Sequence, residues 1–195
     1  VLDQYALSHD SPRADELSYE TQNFSGIWAY SLPIVLQMGR IALQSEPVGL
    51  ALTYILQDSL LVTETIVFNG ALNETARLVV QRPRPFVYHD PGYHGSDPHN
   101  YTSFYSGHTS FSAATNGALL FVMLGRVAAL PFLLLVGIGG PLLVFFTGFF
   151  RVLSGRHFFT DVVVGAIMGS IIAWLVAIRH RTKIASHQPD AHPHD

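Results

Sequence analysis

Two histidines stand beside groups that could set them to work. In YSGHTSF, His108 follows a serine and a glycine at the mouth of a long apolar run; in FRVLSGRHFFTD, His157 lies six residues after Arg151 and four before Asp161. A separation of four brings two residues onto one face of a helix. Asp161 can then accept a hydrogen bond from one ring nitrogen of His157, fix its tautomer and leave the other nitrogen free to attack. Ser106 is placed as the N-cap of the helix that follows, and Gly107 lets a ligand approach the backbone closely. Unpaired N–H groups at such a helix start, with the positive end of the dipole behind them, make an anion site. A third cluster, Arg77, Arg82 and Arg84, falls within eight residues. Arginines so close repel one another unless an anion or an acid such as Glu74 sits between them, and Pro83 and Pro85 end the helix and stiffen its exit. Each cluster also has a plain structural reading: interfacial anchors, a serine cap, a buried His-Asp pair.

The elements that must hold these residues are apolar. Of 195 residues 49% are hydrophobic and 13% charged, about half the usual charged share of roughly 25%, and mean hydropathy is +0.29. Five stretches approach the roughly 20 apolar residues that cross a bilayer: Gly26 to Gln44, Val48 to Phe68 or beyond, Gly107 to Leu124, Val127 to Phe149 and Phe158 to Ile178. The expected fold is an all-α transmembrane helix bundle, with a soluble bundle as the alternative. With no cysteine, a disulfide framework, a thiolate metal site and a cysteine nucleophile are all excluded. The net charge of −3 gives no reason to expect a nucleic-acid partner. No metal site and no cofactor are expected.

Residues 1–25 are polar and acidic and read as an extramembrane segment, residues 26–180 as the transmembrane catalytic domain, and residues 181–195 as a disordered polar tail. The second stretch has no firm stop between Val48 and about Val80, so it should project past the membrane or break near Asn69-Gly70. It carries Asp58, Glu64, Asn69, Asn73 and Glu74, which at membrane depth face a bundle interior rather than lipid. If the helices alternate in direction, the end of this helix (Arg77 to Pro85), the start of the next (Ser106 to His108) and the corner from Arg151 to Asp161 share one side of the membrane.

Taken together, Arg77-x6-Arg84-Pro85, Ser106-Gly107-His108 and Arg151-x5-His157-x3-Asp161 resemble the type 2 phosphatidic acid phosphatase superfamily, whose usual pattern is K-x6-RP, PSGH and SR-x5-H-x3-D. The resemblance covers about Gln44 to Ile178 and implies a bundle of the PAP2 and haloperoxidase type with six transmembrane helices. Five fall in this chain, so one further helix is expected upstream. It also implies metal-independent phosphate ester hydrolysis through a phosphohistidine. On the matching positions His157 would be the nucleophile, Asp161 its orienting partner and His108 the general acid. Arg77, Arg84, Arg151, Ser106 and Gly107 would hold the phosphoryl oxygens. Three positions depart from the pattern: Arg77 replaces lysine, Tyr105 replaces the proline before Ser-Gly-His, and Phe150 replaces the serine before Arg151.

The implied substrate is a lipid phosphate monoester or pyrophosphate entering from the bilayer, with the loop Phe86 to Tyr105 and its His89, His94 and His99 near the headgroup. A vanadate-dependent haloperoxidase and a non-catalytic lipid-binding or transport protein, with Asp58 and Glu64 as transport groups, are the competing classes. Arg40, Arg126, Arg179, Arg181 and Lys183 lie on the face opposite the motifs; Arg13, Arg82 and Arg156 remain on the motif face once the three phosphate-binding arginines are set aside. Positive charge favours the cytoplasmic side. The site is therefore expected on the external, periplasmic face of a bacterial inner membrane.

Overall fold

A computed structural model describes residues 2–89, 91–126 and 128–185. The described residues form helices α1 (Leu2–Ala6), α2 (Pro12–Gln44), α3 (Val48–Val80), α4 (Pro91–His94), α5 (Gly107–Gly125), α6 (Leu130–Leu153) and α7 (Phe159–Ala185), with short 3-10 turns at Pro85–Tyr88 and Pro98–Tyr101.

The acidic N-terminal segment is helical, and the boundary drawn at residue 26 falls inside α2. Ser11 caps that helix by accepting from the Ala14 amide at 3.3 Å, and Pro12 takes the first position, where its missing N–H costs nothing. Nothing after Pro12 stops the helix, and it runs for 33 residues. Helix α3 is also 33 residues long and does not break at Asn69-Gly70. Both are about 50 Å long at ~1.5 Å per residue, longer than the ~30 Å hydrocarbon core. Helix α7 continues to Ala185; residues 186–195, most of the expected tail, lie outside the described residues.

Helix α5 is the central post, packed against α7, α6, α2 and α3. Toward the motif end its contacts are made by small and hydroxylated residues, and toward the other end by Leu119, Val122 and Met123. Ser110, Ser112, Ala113, Ala114, Thr115 and Ala118 are buried, and Thr147 on α6 links Thr21 on α2 to Ser112 on α5. The buried stripe of α3 is largely polar: Asp58, Thr65, Asn69 and Asn73 beside Ala51 and Val62. Large apolar residues such as Leu56, Leu60, Ile138, Phe145, Ile171 and Trp174 face outward. A bundle with its polar groups inside and its bulk apolar surface outside is built for lipid. Among the described residues α3, α6 and α7 are long and apolar enough to cross a membrane by themselves. Helices α2 and α5 form where spans were expected but are more polar, in α5 because its surface meets other helices rather than lipid.

Helices α5 and α7 approach each other backbone to backbone. A Cβ added at Gly165 would lie 2.7 Å from the Ser106 carbonyl oxygen, and one at Gly169 2.2 Å from that of Ser110. Glycines spaced by four let two backbones meet at this distance. At the end away from the motifs, Arg126 forks onto Asp58, at 2.7 Å in its shorter contact, and lies over the Tyr54 ring. On the α3/α7 face Glu64 pairs with His180 at 2.7 Å. Asp58 and Glu64 are thus interhelical partners.

Candidate active site

All three motif clusters gather at one end of the bundle. Gln81, in the left-handed region, ends α3 just past Arg77, and its amide bonds to the Arg77 carbonyl. The chain then pairs with the far end of the 86–105 loop, Arg84 N–H to Asn100 O at 2.9 Å and Ser103 N–H to Arg82 O at 3.0 Å. This pairing fixes Thr102, whose hydroxyl oxygen accepts from both Arg77 and Arg84 at 3.1 Å. Two guanidiniums are thereby drawn together, with Glu74 balancing Arg77 at 2.5 Å.

The third guanidinium comes from the last turn of α6. Arg151 is buried and is held by α2: Asp15 accepts from it at 2.5 Å and Ser18 at 3.2 Å. The other Asp15 oxygen takes Arg156 at 3.2 Å. Tyr19, one helical step on, stands edge-on to the His108 ring with centroids 4.3 Å apart, 5.8 Å from the Arg151 guanidinium. Arg77, Arg84 and Arg151 all lie within electrostatic reach of His108. His108 Nε2 and Arg151 Nε are buried with no hydrogen-bond partner among the described residues. Buried polar atoms of this kind are ordinarily completed by water or a ligand.

Ser106 caps α5, accepting from Thr109 N–H at 3.5 Å and meeting the Thr109 hydroxyl at 3.0 Å, as its position in the sequence implies. Its own amide is donated to the Asp161 carbonyl at 3.0 Å, which ties α5 to α7. Gly107 must stay small, because a Cβ there would meet Asn73 Oδ1 at 2.9 Å.

His157 is fully enclosed in the turn between α6 and α7. Its Nδ1 lies 2.7 Å from the Ser103 carbonyl oxygen. A carbonyl can only accept, so Nδ1 carries the hydrogen and Nε2 keeps its lone pair. Burial first, then the charges of Arg151 and Arg84, push the ring well below the ordinary imidazole value of 6.5, against a smaller opposing effect of the Ser103 bond. His157 is neutral at pH 7.

The expected hydrogen bond between His157 and Asp161 is not made: Nδ1 and Oδ2 are 3.9 Å apart. Helix α7 begins at Phe159, so His157 precedes it and the four-residue helical relation does not apply. The Asp161 oxygens are taken by Phe158 N–H at 2.9 Å, Ser103 Oγ at 2.6 Å and Arg82 at 2.7 Å. Arg82 also reaches Asp3 at 2.9 Å and lies 4.0 Å over the Phe158 ring. Asp3 in turn accepts from the Thr160 amide at 3.0 Å. In the sequence Arg82 is visible only as one of a cluster, and Asp15, Ser18 and Tyr19 do not stand out at all. Their one sequence signal is Ser11-Pro12, which starts a helix and puts residues 15, 18 and 19 on one face. Of the loop histidines, His89 contacts the Leu7 carbonyl, His94 packs on Phe86 and Tyr93, and the His99 amide bonds to Asp97.

A family model described as the PAP2 superfamily matches residues 58–185, which carry every one of the motif residues. The chain belongs to the PAP2 superfamily. No curated protein matches it in sequence. Its fold is similar to the crystal structure of the first transmembrane PAP2 type phosphatidylglycerolphosphate phosphatase from Bacillus subtilis, with a TM-score of 0.61 at 21% identity over 96% of this chain and 86% of that one. This PAP2 chain is an integral membrane protein, and the shared fold, at 96% of the chain, extends beyond the family segment into α2, which supplies Asp15.

Proposed function

We propose that the protein is a membrane phosphatase that hydrolyses a lipid phosphate monoester or pyrophosphate through a phosphohistidine on His157, without a metal. One observation carries this reading: a buried, neutral imidazole with Nδ1 committed to a carbonyl and Nε2 unprotonated, within electrostatic reach of the Arg151 and Arg84 guanidiniums and of a second histidine. Arg77, Arg84 and Arg151 neutralise the phosphoryl oxygens, the charge stabilisation that phosphoryl transfer chiefly requires. Gly107 and the start of α5 add helix-terminal N–H groups, and the Ser106 cap holds that start in place.

His157 Nε2 attacks phosphorus as the bond to the leaving oxygen breaks, and His108, acting in its protonated imidazolium form, gives that oxygen its proton and becomes neutral. The nitrogen-phosphorus bond is then cleaved by water, whose proton returns to His108. Inorganic phosphate leaves and the His157 lone pair is restored. Asp161 steadies the nucleophile's surroundings. The family relationship supports this assignment of roles. So does the likeness in fold to the Bacillus subtilis protein, a phosphatidylglycerolphosphate phosphatase.

A lipid substrate is favoured by an open, mainly apolar groove of about 650 Å³ along α2 and α5, lined by Asn23, Gly26, Ile27, Tyr30, Ile34 and Phe111 among others. It starts one helical turn from Tyr19 and His108 and leads away along the membrane face. The site faces the external side of a bacterial inner membrane, as the arginine distribution favours. The test is phosphate release from phosphatidic acid, phosphatidylglycerophosphate and a prenyl pyrophosphate in mixed micelles with chelator present. His157→Ala and His108→Ala are expected to lose at least about a hundredfold, and wild-type release by either overturns the reading.

A further inference from the structure

Ser103 meets the catalytic corner with all three of its polar groups. Its carbonyl oxygen takes His157 Nδ1 at 2.7 Å, its hydroxyl is given to Asp161 at 2.6 Å, and its amide is given to the Arg82 carbonyl at 3.0 Å. It is fully buried and lies outside the three motifs. Asp161 lies too far from the ring to hold it directly. The carboxylate is fixed independently, by Phe158 N–H and by Arg82, which Asp3 braces from α1. The anchored end of the chain of contacts is therefore Asp161, and the group it anchors is Ser103.

We propose that Ser103 is a positioning residue for the phosphorylated histidine, and that Asp161 orients His157 through the Ser103 hydroxyl and carbonyl rather than by touching the ring. This rests on His157 being the nucleophile. A backbone carbonyl is a good tautomer lock only if it cannot drift. The 86–105 loop that carries it is held near this point by the Arg82 and Arg84 pairings and by the Ser103 hydroxyl. Removing that hydroxyl leaves the carbonyl in the chain but frees it to move away from Nδ1, which lets the ring turn or change tautomer. Substrate affinity, set by the arginines, is untouched. The loss belongs in kcat.

The experiment uses the full chain in mixed micelles with phosphatidic acid, and compares Ser103→Ala, Ser103→Thr, Asp161→Asn and the double variant Ser103→Ala/Asp161→Asn, each at matched amount and thermal midpoint. Ser103→Ala is expected to lower kcat about tenfold or more with KM within about twofold, while Ser103→Thr, which keeps the hydroxyl, retains most of kcat. The double variant is expected to be no slower than the worse single one, because the two residues act in series. If Ser103→Ala does not fold, Ser103→Cys, a weak donor, replaces it under the same thresholds. A kcat within about twofold of wild type for the hydroxyl-free variant, or losses that multiply in the double variant, overturns the proposal. His157→Ala is run alongside: if it keeps wild-type phosphate release, the nucleophile assignment fails, whatever Ser103 does.

Discussion

At the scale of single residues, the protonation of His157 decides a part of stability and, on the proposed function, its reactivity. Enclosure and the Arg151 and Arg84 charges hold its folded value well below 6.5, the value the unfolded chain keeps. Between those two values the unfolded state binds the extra proton, so folding stability falls as pH drops below about 6.5 and is regained above it. His157→Gln removes that pH dependence. The drop in thermal midpoint from pH 7.5 to pH 5.5 is expected to be smaller in the variant than in the wild type, and an equal drop would show that the ring is not held neutral. The residue types are legible in the sequence because His108, His157 and the arginines sit at helix ends that punctuation by Ser, Gly and Pro reveals. Their connections are not. Asp15 reaches Arg151 across 136 positions, and no local pattern encodes such a contact. The Asp161 pairing differs from expectation for another reason, since spacing gives a helical face only after the helix has begun.

At the scale of elements, the approach of α7 to α5 sets the relation between the two histidines. Gly169 packs against the Ser110 carbonyl and Gly165 against that of Ser106, whose amide bonds to the Asp161 carbonyl. The obstruction in both cases is backbone, which cannot swing aside as a side chain does. Gly169→Ala is expected to push the helices apart, lower the thermal midpoint by several degrees and reduce kcat by about tenfold or more. Steady-state rates and a thermal scan on the purified variant measure both. Helices α3, α6 and α7 can be read from hydropathy, but α2 shows only its apolar half that way. A helix whose first turns lie in an acidic surface stretch reveals itself by its cap, here Ser11 and Pro12, rather than by its hydrophobicity.

At the scale of the whole molecule, polar interior and apolar exterior leave one question of direction, which side of the membrane the reacting end faces. Because the chain has no cysteine, single replacements can answer it. Ser96→Cys, on the exposed loop beside the site, is expected to react with an impermeant maleimide added to intact cells, and Gln44→Cys at the opposite end only after the cells are opened. The reverse pattern would place hydrolysis in the cytoplasm. Helix α2 brings a further consequence through Asp15, which already sits on Arg151 and Arg156. The cradle is therefore not bare positive charge: a tethered carboxylate already offsets part of the charge of Arg151 and Arg156. On the proposed function, that partial neutralisation is expected to loosen the grip on substrate and product alike.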